Sequence, residues 1–169
     1  MPLLLALLGV LGLVVSSPRP AAGAPLPPGP PAPSLLAGGG KFLEGLHREM
    51  QIFVLEVARR ALEQGIKIKL TSGIRSCAQQ NAIYAQGRST PGAIVTGAKG
   101  CRSWHVQGRA VDFEPSPRSP AAYAAVGAIA EQLGGVWGGR FSNLQDLGHI
   151  EYHPGLKIED VCPNPEACT

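Results

Sequence analysis

Apolar residues recur at steps of three and four through Phe42, Leu46, Met50, Phe53, Val54, Val57, Ala61 and Leu62. That spacing predicts one face of a helix over residues 41–64, with Gly65 as its stop. Ile66, Ile68 and Leu70 then alternate with Lys67, Lys69 and Thr71, the period of a half-buried strand. Ser76 is placed to cap a second helix reaching Gln86, with Gly87 ending it and a loop following over 88–100. Residues 104–113 read as extended chain interrupted at Gly108 and ended by Pro115 and Pro117. Ser119-Pro120 is an N-cap followed by Pro at the first helical position, opening an Ala-rich helix over 121–133. Short strands are expected at 136–137 and 150–152, and an irregular tail around Pro163 and Pro165. No regular strand–helix–strand rhythm emerges. The pattern predicts an α+β fold with a small, largely antiparallel sheet flanked by helices.

The front of the chain is of a different character. Leu3 to Val15 is an almost unbroken apolar run, too short to span a bilayer comfortably and suited to the core of a secretory signal. Ala22-Gly23-Ala24 fits a cleavage site, so residues 1–24 are expected to be a signal peptide. The expected product is secreted, periplasmic or held in the cell envelope, with no membrane span left after processing. Residues 25–40 are rich in Pro and Gly and read as a tether; the folded domain is expected over 41–169.

Composition narrows the function classes. Of 169 residues, 44% are hydrophobic and 16% charged, enough to build a core and too polar for a multi-span membrane protein. The formal charge of +3 is a weak bias without a basic stripe, so nucleic acid is not an expected partner. The four cysteines, Cys77, Cys101, Cys162 and Cys168, suggest two disulfides in an exported chain. Three connectivities are open, and no C-x-x-C spacing points to a metal.

Candidate chemistry concentrates in the second half. His47 falls at a polar position of the first helix and reads as a surface residue. His105 lies seven residues before Asp112, and His149 follows in a separate short segment. A catalytic zinc site needs three protein donors and one open position. On a straight strand, a separation of seven would send His105 and Asp112 to opposite faces, so the chain must bend between them, and Gly108 is the residue that allows it. Small Ala110 would let the segments approach.

Ser103-x-His105-x-x-Gly108-x-Ala110-x-Asp112 followed by Asp146-x-x-His149 resembles the D-alanyl-D-alanine carboxypeptidase, dipeptidase and L-alanyl-D-glutamate endopeptidase family of zinc peptidases. That family shares its fold with the hedgehog signalling domain. The stretch Thr71-Ser72-Gly73-Ile74-Arg75-Ser76 with Gln80 and Tyr84-Ala85-Gln86-Gly87-Arg88 is similar to its other signature. Pro91-Gly92, Ile94-Val95-Thr96 and Trp137-Gly138-Gly139-Arg140-Phe141 match the endopeptidase branch. The resemblance covers about residues 41–155.

It implies that His105, Asp112 and His149 bind one Zn2+, that Asp146 is the general base, and that Arg75 faces the oxyanion at the scissile carbonyl. Ser103 and Gln80 would contact substrate, Ser103 alternatively bracing the His105 loop. The implied substrate is the stem peptide of peptidoglycan, cut by a monomeric enzyme between L-alanine and D-glutamate. A D-alanyl-D-alanine carboxypeptidase or dipeptidase is the rival within the class, and a non-catalytic zinc-stabilised extracellular binding module the rival outside it. His153 is a further candidate ligand, Glu151 and Glu114 are candidate partners for imidazole N–H groups, and Trp104, Tyr84, Trp137 and Tyr152 are candidate core or groove-wall residues. Ile74 and Gly148 depart from the family pattern; Gly148 is expected to loosen the turn before His149. In that fold the Cys77 and Cys101 segments should meet at the cleft, which implies a Cys77–Cys101 bridge and leaves Cys162–Cys168.

Overall fold

The structure is a computed structural model that describes residues 35–38 and 40–168. The expected signal peptide and most of the expected tether lie outside the described residues. Four strands form one antiparallel sheet in the order β1-β2-β4-β3: β1 (Lys67–Ser72), β2 (Ala110–Ser116), β3 (Val136–Trp137) and β4 (His149–Glu151). The helices are α1 (Arg48–Glu63), α2 (Cys77–Ala85), α3 (Pro120–Gln132) and a short α4 (Ile158–Val161). This is the α+β architecture that the pattern predicts.

Strand alternation gives the sheet two unlike faces. Ile68 and Leu70 of β1, Val111 and Phe113 of β2 and Ile150 of β4 are buried with Met50, Phe53, Val54 and Val57 of α1 and Val126 and Ile129 of α3. Each large apolar side chain buried this way contributes roughly 1.5–3 kcal/mol. Between the core positions lie Ala110, Asp112, His149 and Glu151, so the opposite face carries the polar groups.

Caps set the helix boundaries. Ser76 and Gln79 form a reciprocal capping box on α2, and the Ser119 hydroxyl accepts from the Ala122 N–H to start α3 behind Pro120. The first helix is shorter than its periodicity implies. Residues Lys41–Leu43 form a single 3-10 turn and the chain redirects before α1. Leu43 and Leu46 still reach the core, which is why the spacing reads as continuous. The fold also begins before residue 41. Leu35 and Leu36 are buried, and Leu36 bridges Ile68 in parallel, so this end of the expected tether is part of the domain.

The cysteine pairing differs from the expected one. The bonds are Cys77–Cys168 and Cys101–Cys162. Instead of stapling two cleft segments to each other, both tie the C-terminal segment to the wall made by α2 and the 3-10 turn Gly100–Arg102. Lys99–Glu166 and Arg102–Glu159 ion pairs and an Asn81 side-chain bond to the Cys168 carbonyl follow the same seam. The tail is therefore ordered into α4 and a last 3-10 turn, where an irregular stretch is expected.

Candidate metal centre

Asp112 and His149 are cross-strand neighbours on β2 and β4, which puts both side chains on the polar face of the sheet. His105 arrives from a turn rather than from extended chain. That turn closes at Gly108, whose φ is +64°, and the Gly108 carbonyl accepts from the His47 N–H. The bend expected at Gly108 is thus present, and only glycine adopts it readily. The Arg75 N–H donates to the His105 carbonyl, which locks the turn against the chain leaving β1.

Three donor atoms converge. His149 Nδ1 lies 2.9 Å and His105 Nε2 3.2 Å from Asp112 Oδ1, and the two ring nitrogens are 3.3 Å apart. Tetrahedral coordination with metal–nitrogen distances near 2.0–2.1 Å places donors about 3.3 Å from one another. The far side of each ring is fixed. His105 Nδ1 lies 2.7 Å from the Gly73 carbonyl, which can only accept, so the proton sits there. His149 Nε2 lies 2.9 Å from the Glu151 carboxylate. Once His149 gives up the proton it otherwise shares with Asp112, both inward nitrogens turn lone pairs toward one point beside a carboxylate oxygen. That cluster calls for a cation between its members, and the donor set of two imidazoles and one carboxylate suits zinc.

The electrostatics agree. Burial disfavours the Asp112 anion, but hydrogen bonds and charge from His105 and His149 outweigh it and hold the carboxyl well below the usual range. Burial opposes charge on His149, yet Asp112 and Glu151 push its pKa up to about 9. Glu151 is likewise raised by burial and lowered further by His149 and His153, to about 2. Two carboxylates facing one buried imidazole make a pocket that favours positive charge.

Supporting residues complete the arrangement. Glu151, two positions after His149 on β4, shares its face and bonds His149 with one oxygen and His153 with the other, 3.0 Å away. His153 is stacked on Trp104 with ring centroids 4.0 Å apart, and stays outside the donor triangle. Glu114 pairs with Arg118 and reaches neither ring. Arg75 grips the second oxygen of Asp112 at 2.5 Å and bonds Ser72 and Gln80. Ser72 was not foreseen: a bulge between Leu70 and Ser72 turns its side chain to the polar face.

The expectation that Gln80 touches substrate is corrected. Its side chain is fully buried, accepts from Arg75 and donates to Thr96 and to the Ala98 carbonyl. It braces Arg75 and the 88–100 loop from behind. Ser103 lines the cleft and accepts from the His105 N–H at 3.3 Å. His47 is exposed, as expected.

The centre opens on a cleft of about 770 Å³, whose walls include Ile94–Ala98, Arg102 and the 141–146 loop with Asp146. Asp146 is exposed, its carboxylate accepts from the Gly148 N–H, and its own N–H donates to the Gly138 carbonyl. The turn is tight rather than loose. The Gly148 carbonyl accepts from Phe113, and a Cβ at 148 would lie 2.8 Å from the Phe113 oxygen.

A mixed fold with two histidines and an aspartate converging beneath an open cleft defines the class: an α+β domain built around a candidate metal site with room for a ligand. The particular likenesses follow it. Residues 96–152 match the family model described as D-alanyl-D-alanine carboxypeptidase. Over 109 residues the chain is 33% identical to peptidoglycan L-alanyl-D-glutamate endopeptidase CwlK of Bacillus subtilis (strain 168), covering 56% of this chain and 65% of that protein. The chain thus spans a little under two thirds of that curated relative. Its fold is similar to the Serratia marcescens L-Ala D-Glu endopeptidase ChiX, with a TM-score of 0.52 and 23% identity over 71% of this chain and 86% of that one. The two sequence matches agree with the resemblance read from the motifs, and the structural match shows a shared α+β fold.

Proposed function

We propose that the protein is a zinc metallopeptidase that hydrolyses the amide between L-alanine and D-glutamate in the stem peptide of peptidoglycan. One observation carries the reading: His105 Nε2, Asp112 Oδ1 and His149 Nδ1 stand 2.9–3.3 Å apart, with the outer ring nitrogens engaged elsewhere. The relatives named above, both called endopeptidases of that bond, support the choice of substrate. Two disulfides support an oxidising compartment, in keeping with export.

His105, Asp112 and His149 would hold one zinc ion, which when bound acidifies water and polarises a carbonyl. Asp146, three residues before His149 on the cleft wall, takes the proton from the attacking water and delivers it to the leaving amine. The water oxygen bonds to the carbonyl carbon as the carbon–nitrogen bond breaks, so the proton count balances. Arg75 orients Asp112 and keeps two of its five N–H groups for charge developing on the carbonyl oxygen.

The description of the matched family favours a second reading, a carboxypeptidase removing terminal D-alanine. Digestion of muropeptides by the zinc-loaded protein, read by fragment mass, separates the two. Loss of the L-alanyl portion is expected, and release of D-alanine alone would overturn the endopeptidase reading. Asp146→Ala should retain zinc and lose on the order of 10²–10⁴ in turnover. Undiminished turnover would remove Asp146 from the mechanism.

A further inference from the structure

Two cations line the cleft among the described residues, Arg75 and Arg102. Arg75 spends three N–H groups on Asp112, Ser72 and Gln80. Arg102 makes a single side-chain bond, from Nη1 to Glu159 at 2.9 Å, leaving four of its five N–H groups without a protein partner among the described residues. It sits three positions before His105, on the turn Gly100–Arg102 that Cys101 anchors to Cys162. Glu159 lies on α4 within the same strapped segment, and its side chain is 63% exposed. An exposed pair of this kind adds little to stability, and two disulfides already hold the segment. The pair instead holds one edge of the guanidinium while leaving the rest of the fork toward the cleft.

We propose that Arg102 is a subsite for a free carboxylate of the substrate, next to the amide that is cut. This rests on the peptidase reading above and deepens it. A guanidinium fork matches a carboxylate in two parallel hydrogen bonds and gains nothing comparable from a neutral amide. In an L-alanyl–D-glutamyl bond the residue after the cut carries such a group, the α-carboxylate of a glutamate linked onward through its γ-carbon. In stem peptides where that group is amidated, the charge is absent. Arg102 therefore selects the acidic form.

The test uses the zinc-loaded full chain with L-alanyl-γ-D-glutamyl-L-lysyl-D-alanine and its α-amide, the D-isoglutamine peptide. The wild type should prefer the acidic peptide by about 10- to 100-fold in kcat/KM, the worth of a charged hydrogen-bonded pair. Arg102→Gln should bring the ratio close to one through loss on the acidic peptide alone, and Arg102→Lys should keep part of the preference. The ratio does not depend on how much of a variant folds. A wild type without preference, or a ratio unchanged in Arg102→Gln, overturns the subsite while leaving the peptidase reading intact. If the wild type cuts neither peptide, the peptidase reading falls and takes the subsite with it.

Discussion

The two sides of the cleft are held by different means. The sheet side owes its geometry to register: Asp112 faces His149 across β2 and β4, and Ala110 faces Glu151 two pairs further on. No disulfide touches these residues; Asp112 and Glu151 both bond His149, and Arg75, His105 and His153 join them from adjoining chain. The α2 side is a wall of turns and one short helix, carrying Arg102 and the segment that leads to His105, and it is bolted to the C-terminal segment by both disulfides. A strand ladder fixes side-chain direction by itself, because shifting it by one residue would invert every side chain. Turns have no such constraint. Cross-linking has been spent where backbone pairing cannot do the positioning.

The sharpest way to break this contrast is to remove the bolts. The Cys101–Cys162 bond closes a 61-residue separation and so, in the chain-entropy account, stabilises by about 4 kcal/mol. Cys101→Ser with Cys162→Ser should lower the unfolding free energy by about that amount in guanidinium titrations. The zinc affinity of the folded protein should stay within about tenfold of the wild type. A larger loss of affinity would show that His105 depends on the covalent wall and that the sheet side is not self-sufficient.

Glu151→Ala probes the other side. It should weaken zinc binding by about 10- to 100-fold, because His149 loses the group that holds its outer proton, and should lower the unfolding free energy by less than loss of the disulfide does. Competition with a chelator gives the affinity, and a stability loss rivalling the disulfide variant would contradict the division.

The effect of pH is the smallest per step, though it accumulates over several units. His149 rises in the folded chain from an ordinary 6.5 to about 9. In zinc-free protein its proton therefore stabilises the fold fully below pH 6.5, and that contribution is lost as pH rises through about 9. Zinc has to displace the same proton, so its affinity should climb about tenfold per pH unit up to about pH 9. An affinity flat between pH 6 and 8 would show that His149 is already neutral without metal.

The legible parts of the sequence were those with a local cause. Ser76, or Ser119 with Pro120, announces a helix start because the cap lies beside it, while the Gln79 half of the capping box is seen only in the structure. His105 and Asp112 stand out by their spacing, Asp146 and His149 by the resemblance to a known family, and the cleft contains all four. What stayed hidden depends on distant contacts. Leu35 and Leu36 sit in a Pro- and Gly-rich stretch with no period, and only the edge of β1 reveals their place. The cysteine partners were unreadable because the C-terminal segment folds back across α2. The resemblance assigns Gln80 to substrate, and only burial beside the 88–100 loop shows that it braces Arg75 instead. The Glu151 pairing was readable in part: two positions apart on a strand means one shared face.

The bonds Cys77–Cys168 and Cys101–Cys162 bracket the exposed loop that lies between α2 and the 3-10 turn. A protease clipping that loop would sever the backbone without parting the pieces, since each flank stays tethered to the same tail. The segment that lines the cleft with exposed Ile94 and Val95 can be nicked and the molecule still travels as one body.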